Sequence, residues 1–346
     1  MPSSFNSALI VAAAGVGAYA VVRTLARRSR WFDFNGKVAL ITGGSRGLGL
    51  ILARQLVSRG ARVAICARTE RDLETASSDM RQRGGNVLAS VCDIRDRQQV
   101  QRLAAQILEH WGTIDLLFNV AGVIEVGPLD SLAIDDFHEA MDINCFGVLH
   151  TVLAVLPEMR RRRWGRIVNV ASIGGKQAVP HLLPYDMSKF ALIGLSQGLR
   201  TELAKDGILV ITVSPTLMRT GSPRNATFKG RHREEYAWFS LGGSLPLVSI
   251  SADRAATQIL QACQAGDVDV FITNLLNPAV WANRLAPALT TDVLALINRL
   301  LPSMGGIGRR KARGYESESA ISPSWLTSLN DQAAARNNEL GVRPAV

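Results

Sequence analysis

Tyr185 and Lys189 stand four residues apart, Ser172 lies thirteen residues before the tyrosine, and the run Thr42-Gly43-Gly44-Ser45-Arg46-Gly47-Leu48-Gly49 comes far upstream. Side chains at i and i+4 share one helical face, so the ammonium of Lys189 can sit beside the phenol of Tyr185. A free phenol, with a pKa of about 10, is a poor base near neutrality. A neighbouring cation favours the phenolate and lowers that pKa. Such a tyrosine can give a proton to, or take one from, an oxygen whose carbon gains or loses a hydride. Ser172 would donate a hydrogen bond to the same oxygen, where charge develops. With a dinucleotide turn upstream, the chemistry implied is nicotinamide-dependent interconversion of a carbonyl and an alcohol.

These side chains need a scaffold, and a regular pattern begins at Lys37. Val38 to Ile41 is a short apolar run ending at glycines, and Leu48 to Ser58 repeats apolar residues at helical spacing. Strand, turn and helix follow. Further strands are read at 62–67, 87–91, 114–119, 166–170, 208–213 and 268–272, with helices at 69–83, 98–111, 137–156, 185–205 and 255–265. This alternation predicts a doubly wound α/β Rossmann fold, with seven parallel strands and helices on both faces. An apolar N-terminal helix and a helical or irregular C-terminal tail complete the expected architecture. The organisation read is a membrane anchor with basic flank at 1–30, a catalytic domain at 31–276 and an appendage at 277–346. Its last stretch, from Glu316, is polar and expected to be partly disordered.

A glycine turn between the first strand and first helix suits a pyrophosphate, because backbone amides and the helix N-terminus face the anion and no side chain blocks its approach. Gly43, Ser45, Arg46, Gly47, Leu48 and Gly49 fall at that junction. The second strand ends in Ala67-Arg68, without the carboxylate that would accept from the ribose of NAD. Arg68 and Arg46 could instead straddle a 2′-phosphate, so NADP(H) is expected over NAD(H), which stays possible. Asp93 and Ile94, after the third strand, are placed on the adenine side. Asp93 competes for a second role as a helix cap.

In this order, the T-G-x-x-x-G-x-G turn, Asn119-Val120-Ala121-Gly122, Asn144, Ser172 and Tyr185-x-x-x-Lys189 resemble the short-chain dehydrogenase/reductase family, from about Asn35 to Thr273. The resemblance implies that Asn119, Ala121 and Gly122 line the adenine-ribose side. It places Pro215 to Thr220 by the nicotinamide carboxamide, and gives Asn144 a water linking Lys189 to solvent. It also implies a homo-oligomer. Val120 replaces the family's second asparagine, which puts one hydrogen bond to the sheet in doubt. Thr216 replaces a glycine, which puts the path of its loop in doubt.

The formal charge is +10, with arginines clustered after the first apolar stretch, at 160–163 with Arg166, and at 309–313. No aromatic-interleaved nucleic-acid module accompanies them, so nucleic acid is not an expected partner. The run at 160–163 reads as a solvated face. The four cysteines are widely spaced and read as reduced buried thiols; no metal is expected. From Ala8 to Val22 the chain is apolar and the arginines follow it, as in an anchor whose positive side stays in the cytoplasm. A cleaved signal peptide or an amphipathic leader on a soluble cytoplasmic enzyme are the other readings. The stretch from Gly221 to Leu247 mixes Arg224, Lys229, Arg231 and Arg233 with aromatic residues and is read as a substrate lid having a basic and an apolar face. A lipophilic substrate drawn from membrane lipid is expected. The alternative is a catalytically silent dinucleotide-binding regulator or scaffold at the membrane.

Overall fold

The computed structural model describes residues 3–244, 249–272, 282–283, 285–319, 322, 324 and 327–340; in the first helix, side chains are described from 15 onward, except 16 and 19. Seven strands form one parallel sheet: β1 (Val38–Thr42), β2 (Arg62–Ala67), β3 (Val87–Val91), β4 (Leu116–Asn119), β6 (Gly165–Val170), β7 (Ile208–Pro215) and β11 (Asp269–Ile272). Their order is β11-β7-β6-β4-β1-β2-β3. The order reverses between β1 and β4, the crevice where ligands of such sheets bind, at the strands' carboxyl ends. All of β1 is buried, as expected for a strand covered on both faces.

Alternation within β1 divides the core. Ala39 and Ile41 face the layer of α2 (Gly47–Val57), α3 (Glu70–Gln82) and α9 (Ala252–Ala265). Val38 and Leu40 face the layer of α4 (Arg97–Trp111), α6 (Gly147–Arg162) and α7 (Leu183–Leu203). Emptying one such position, as in Leu40→Ala, costs about 2–5 kcal/mol. All four cysteines are free and buried.

At their carboxyl ends the central strands turn polar. Thr42, Asn119 and Asn169 stand in register across β1, β4 and β6. Thr42 Oγ1 accepts from the amides of Val120 and Ala121 at 3.1 and 3.2 Å. Asn119 donates to Asn169 at 2.9 Å, and Thr151 donates to Asn119 at 2.7 Å. The loop at Val120 is tied to the sheet through its own amide, which donates to Thr42 Oγ1.

Two smaller sheets flank the crevice, one pairing β8 (Leu217–Arg219) with β10 (Ser249–Ser251), the other joining β5 (Glu125–Val126), β9 (Thr227–Phe228) and β12 (Ala312–Arg313). They carry the lid helix α8 (His232–Ser244) and lead to α10 (Pro287–Asn298) and α11 (Ser328–Arg336). The N-terminal helix α1 (Ser3–Arg30) is 28 residues long, and Arg27 ties its end to Asp267 at 3.2 Å. Among the described residues, the helix apolar and long enough to cross a bilayer is Ile134–Arg162, more than half buried in the protein. It is read here as a core helix; most of the 8–22 segment expected as the anchor has side chains outside the described set.

Candidate active site

Residues from β6 and α7 build the proton-handling side. Ser172 follows β6, and its Oγ accepts from the Gly174 amide at 3.0 Å. Pro184 in the first turn of α7 suits a helix start, where its missing N–H is no loss. One turn apart on that helix, Tyr185 and Lys189 come together: Nζ lies 5.6 Å from the ring centroid and donates to Val170 O at 3.0 Å. The Ser172 hydroxyl lies on the Tyr185 side of the site and favours the ionised phenol.

Asn144 arrives from the opposite side, on a π-helical turn (Asp142–Phe146) between α5 (Ile134–Met141) and α6. Such turns widen a helix by one residue and recur at functional sites. Its Oδ1 accepts from the Val123 amide, while Nδ2 donates to Val123 O and Ser188 Oγ at 3.1 and 2.9 Å. Ser188 Oγ in turn donates to Tyr185 O at 2.7 Å. The amide thus couples the loop after β4 to the catalytic turn of α7.

The expected electrostatics needs a correction. Burial pushes the Tyr185 phenol up to about 12, eased by Ser172 and reinforced by Asp186. Burial also brings the Lys189 ammonium down to about 8, with Cys145 opposing. Loss of solvent is the dominant influence on the phenol.

The glycine turn forms at the β1–α2 junction as expected. Gly43 and Gly47 have φ of +67° and +54°, open to glycine and strained for other residues. A Cβ on Gly43 would come 2.9 Å from Ala121 Cα, and one on Gly49 would run into Gly43 O. These constraints keep the turn's own side chains out of the way above a helix N-terminus, a geometry that suits a pyrophosphate. Gly122 approaches Asn144 and Lys189 closely, so a Cβ there would lie 2.9 Å from Asn144 Oδ1.

Other placements differ from expectation. The Asn119 side chain is buried, with its amide bonded to Asn169 and Thr151. Asp93 is no helix cap: Asp96 caps α4 by accepting from the Gln98 and Gln99 amides, while Asp93 grips Arg95 through both oxygens. Ile94 is buried, and its carbonyl lies 3.0 Å from His150 Nδ1. Arg68 is exposed beyond β2. Arg46 lies 3.9 Å from Asp72 and 3.7 Å from Glu339. After Pro215, Thr216 donates its amide to Ile272 O at 2.9 Å, so the loop stays tied to β11. Thr220 Oγ1 donates to Ser222 Oγ at 2.8 Å.

Two of the four cations between Gly221 and Leu247 turn inward, while Arg231 and Arg233 stay exposed. Lys229 is almost wholly buried, bonded to Asp136 and 3.3 Å from Glu125, and Arg224 pairs with Glu318 at 2.8 Å. In the cluster at 160–163, Arg160, Arg161 and Arg162 pair with Asp206, Glu158 and Asp115. Arg166 is buried beside Phe32 and Trp164. The polar tail is ordered over 327–340, with Ala334 wholly buried, contrary to the disorder expected of its composition; Trp325 and 341–346 are outside the described residues.

Sequence reading missed three groups beside the tetrad. His181, at φ +65°, holds Nδ1 2.8 Å from the buried Glu235, whose other oxygen accepts from Trp238 Nε1 at 2.6 Å. This pairing clips the lid helix to the loop before Tyr185. Asp186 accepts from the Val179 amide at 2.7 Å, and burial pushes it up to about 8. Only the long apolar-plus-acid pattern of α8 hinted at any of these, because His181 and Glu235 are 54 residues apart.

The short chain dehydrogenase family profile matches residues 37–229. A putative ketoacyl reductase of Streptomyces coelicolor is 38% identical over 276 residues, covering 79% of this chain and 98% of that protein. Among solved structures, an actinorhodin polyketide ketoreductase variant with NADPH shares 31% identity at a TM-score of 0.62, covering 69% of this chain and 96% of that one. A short-chain dehydrogenase/reductase from Burkholderia phymatum in complex with NAD shares 25% identity at a TM-score of 0.68, covering 75% and 96%.

Proposed function

Because the chain belongs to the short-chain dehydrogenase family, and is an oxidoreductase acting on CH–OH and keto groups, we propose that it uses NADP(H) on a lipophilic substrate at a membrane. The observation that carries the chemistry is the Lys189 ammonium 5.6 Å from the Tyr185 ring, with Ser172 acting on the same phenol. The dinucleotide supplies or accepts the hydride. Gly43, Ser45, Gly47, Leu48 and Gly49 would hold its phosphates, and Ala121 and Gly122 its ribose side. Asp93 and Ile94 would flank the adenine, with Asp93 released from Arg95, and Pro215 and Thr220 would flank the carboxamide.

In reduction, Tyr185 donates its proton to the nascent alkoxide and Ser172 donates a hydrogen bond to the same oxygen. A phenol held near 12 keeps its proton until that oxygen becomes basic, which is the form that reduction requires. In oxidation Tyr185 is the base, and a cation beside the phenol must then favour the phenolate. Asn144 acts as a positioning residue that sets the height of α7 and, in this reading, the water path to Lys189.

Preference for NADP(H) rests on Arg68 at the end of β2, where no carboxylate stands, and on Arg46 in the turn. A lipophilic substrate is supported by the apolar cluster of Val126, Leu182, Phe228, Tyr236 and Phe239, against which Tyr185 and Trp238 pack. Membrane attachment is supported by the apolar 8–22 run with trailing arginines, the catalytic domain then lying on the cytoplasmic side. On α10, Leu289, Val293, Leu296 and Ile297 are all exposed, between 43 and 64%. That spacing gives one apolar stripe, suited to lying on a bilayer. The proposed unit is a homo-oligomer, organised as anchor (1–30), catalytic domain (31–276) and appendage (277–346).

The test is NADPH and NADH oxidation by the full chain in bilayer discs, against carbonyl compounds graded by chain length and ring number. The reading expects NADPH to be favoured at least about tenfold, and turnover to rise with apolar size. Equal turnover of small polar carbonyls, or a preference for NADH, would sink it.

A further inference from the structure

Residues 327–340 lie directly on the glycine turn. Asn330 Oδ1 accepts from the Gly221 amide at 2.9 Å, and Ala334 fills the space that a Cβ on Gly221 would need. Asn337 then bridges the two loops that the reading above gives to the cofactor. Its carbonyl accepts from the Gly47 amide at 2.8 Å, and its Nδ2 donates to Thr220 O at 3.2 Å. Asn338 Nδ2 donates to Ser45 O and Asp72 O at 3.0 and 3.3 Å. Arg54 donates to Arg336 O at 2.9 Å. Glu339 is 4% exposed; it accepts from Asn225 at 2.6 Å, faces Arg46, and lies so close to Gly47 that a Cβ there would strike its Oε1.

A phosphate on this turn needs free amides and about 3 Å of clearance. Here the Gly47 amide is taken, the clearance is filled, and a carboxylate stands where a second anion would be repelled. We infer that the C-terminal segment is a built-in competitor of the dinucleotide, docked on its phosphate surface and displaced when cofactor binds. The inference rests on the dinucleotide reading of that turn. Only the undocked fraction binds, so the apparent Kd is raised by the reciprocal of that fraction.

Burial pushes Glu339 up to about 7, against Arg46 and Asn225, with Asp72 adding to the rise. The arginines on neighbouring segments are engaged elsewhere: Arg54 with Asp79 and Arg224 with Glu318. A docked pKa above the 4.5 of a free glutamate means that docking holds a proton. It is therefore strongest in acid and weakens as pH rises through about 7.

The test measures NADPH binding by calorimetry and hydrogen exchange on the full chain in detergent, for wild type and Ala334→Glu, which puts a charge into the Gly221 contact. Wild type should show protected amides over 327–340 that lose protection when NADPH is added. Ala334→Glu should lack that protection when free, yet bind NADPH at least about tenfold more tightly, with the gap narrowing from pH 6 to pH 8. A segment that stays or becomes more protected with NADPH bound, or equal affinities in the two proteins, overturns the inference and leaves the dinucleotide reading intact. Failure of both proteins to bind NADPH and NADH overturns the dinucleotide reading and this inference with it.

Discussion

The two halves of the site are closed against water by different parts of the chain. On the proton-handling side, the hydrogen-bond partners of Lys189 and Asn144 all belong to the core: Val170 on β6, Val123 after β4 and Ser188 on α7. On the dinucleotide side, the turn is covered by residues such as Asn338, 293 positions away from Ser45 and outside the sheet. Opening the first half means breaking packed strands and helices. Opening the second means lifting one short helix and a few hydrogen bonds, and local openings of that kind occur at a fraction of the global stability. The chemistry is built to stay in place, whereas access to the cofactor surface can vary.

The sharpest way to separate the halves is Tyr185→Phe. It removes the exchangeable proton and leaves the turn untouched, so kcat should fall by roughly 10²–10⁴ with the NADPH Kd unchanged in calorimetry. A parallel loss of cofactor affinity would mean that the halves are one unit and that the comparison fails. Next in size is selectivity. Arg68→Asp should lower the ratio of kcat/KM for NADPH over NADH by about 10–100-fold, the value of one charge-assisted hydrogen bond and the new repulsion. An unchanged ratio would move the 2′-phosphate away from β2.

A smaller effect tests the buried acid next to the phenol. Asp186 is pushed up to about 8 by burial, so the fold holds it protonated where a free carboxyl would be ionised. The stability it contributes is complete below its unfolded value of 3.8 and is lost as pH rises through 8. Asp186→Asn keeps an acceptor for the Val179 amide and carries no charge. It should therefore match wild type near pH 4 and exceed it by about 1–3 kcal/mol at pH 8; denaturant melts at the two values decide.

Much of this was legible beforehand, and unevenly so between the two halves. Short apolar runs such as Val38 to Ile41, ending at glycines, read as strands buried on both faces, and Tyr185 with Lys189 needed only helical spacing to meet. Positions whose meaning depends on distant partners were not legible. Lys229 looked like a lid cation because the carboxylates of Glu125 and Asp136 that bury it lie far upstream. Nothing local to Asn119 shows that Thr151 and Asn169 take both ends of its amide. The polar tail looked unstructured because composition records hydropathy, and its polar groups are satisfied by Gly47, Ser45, Thr220 and Gly221 and not by water.

The smallest effect expected concerns Lys189, and it turns the rigidity of the catalytic half into a measurable burden. Its folded value of about 8 lies below the 10.5 of a free lysine, so the fold binds that proton less tightly than the unfolded chain does. Burying the ammonium weakens the fold fully below pH 8, and the burden disappears as pH rises toward 10.5. Lys189→Met keeps the bulk and removes the charge, though it leaves Val170 O without its donor, a loss of about 1 kcal/mol. The variant should be inactive yet more stable than wild type by roughly 1–2 kcal/mol at pH 7, an advantage that shrinks between pH 8 and 10 in thermal melts. A variant less stable than wild type at pH 7, or a difference that ignores pH, would show that the ammonium is solvated in the folded protein, and the contrast between a sealed catalytic half and an openable cofactor half would lose its basis.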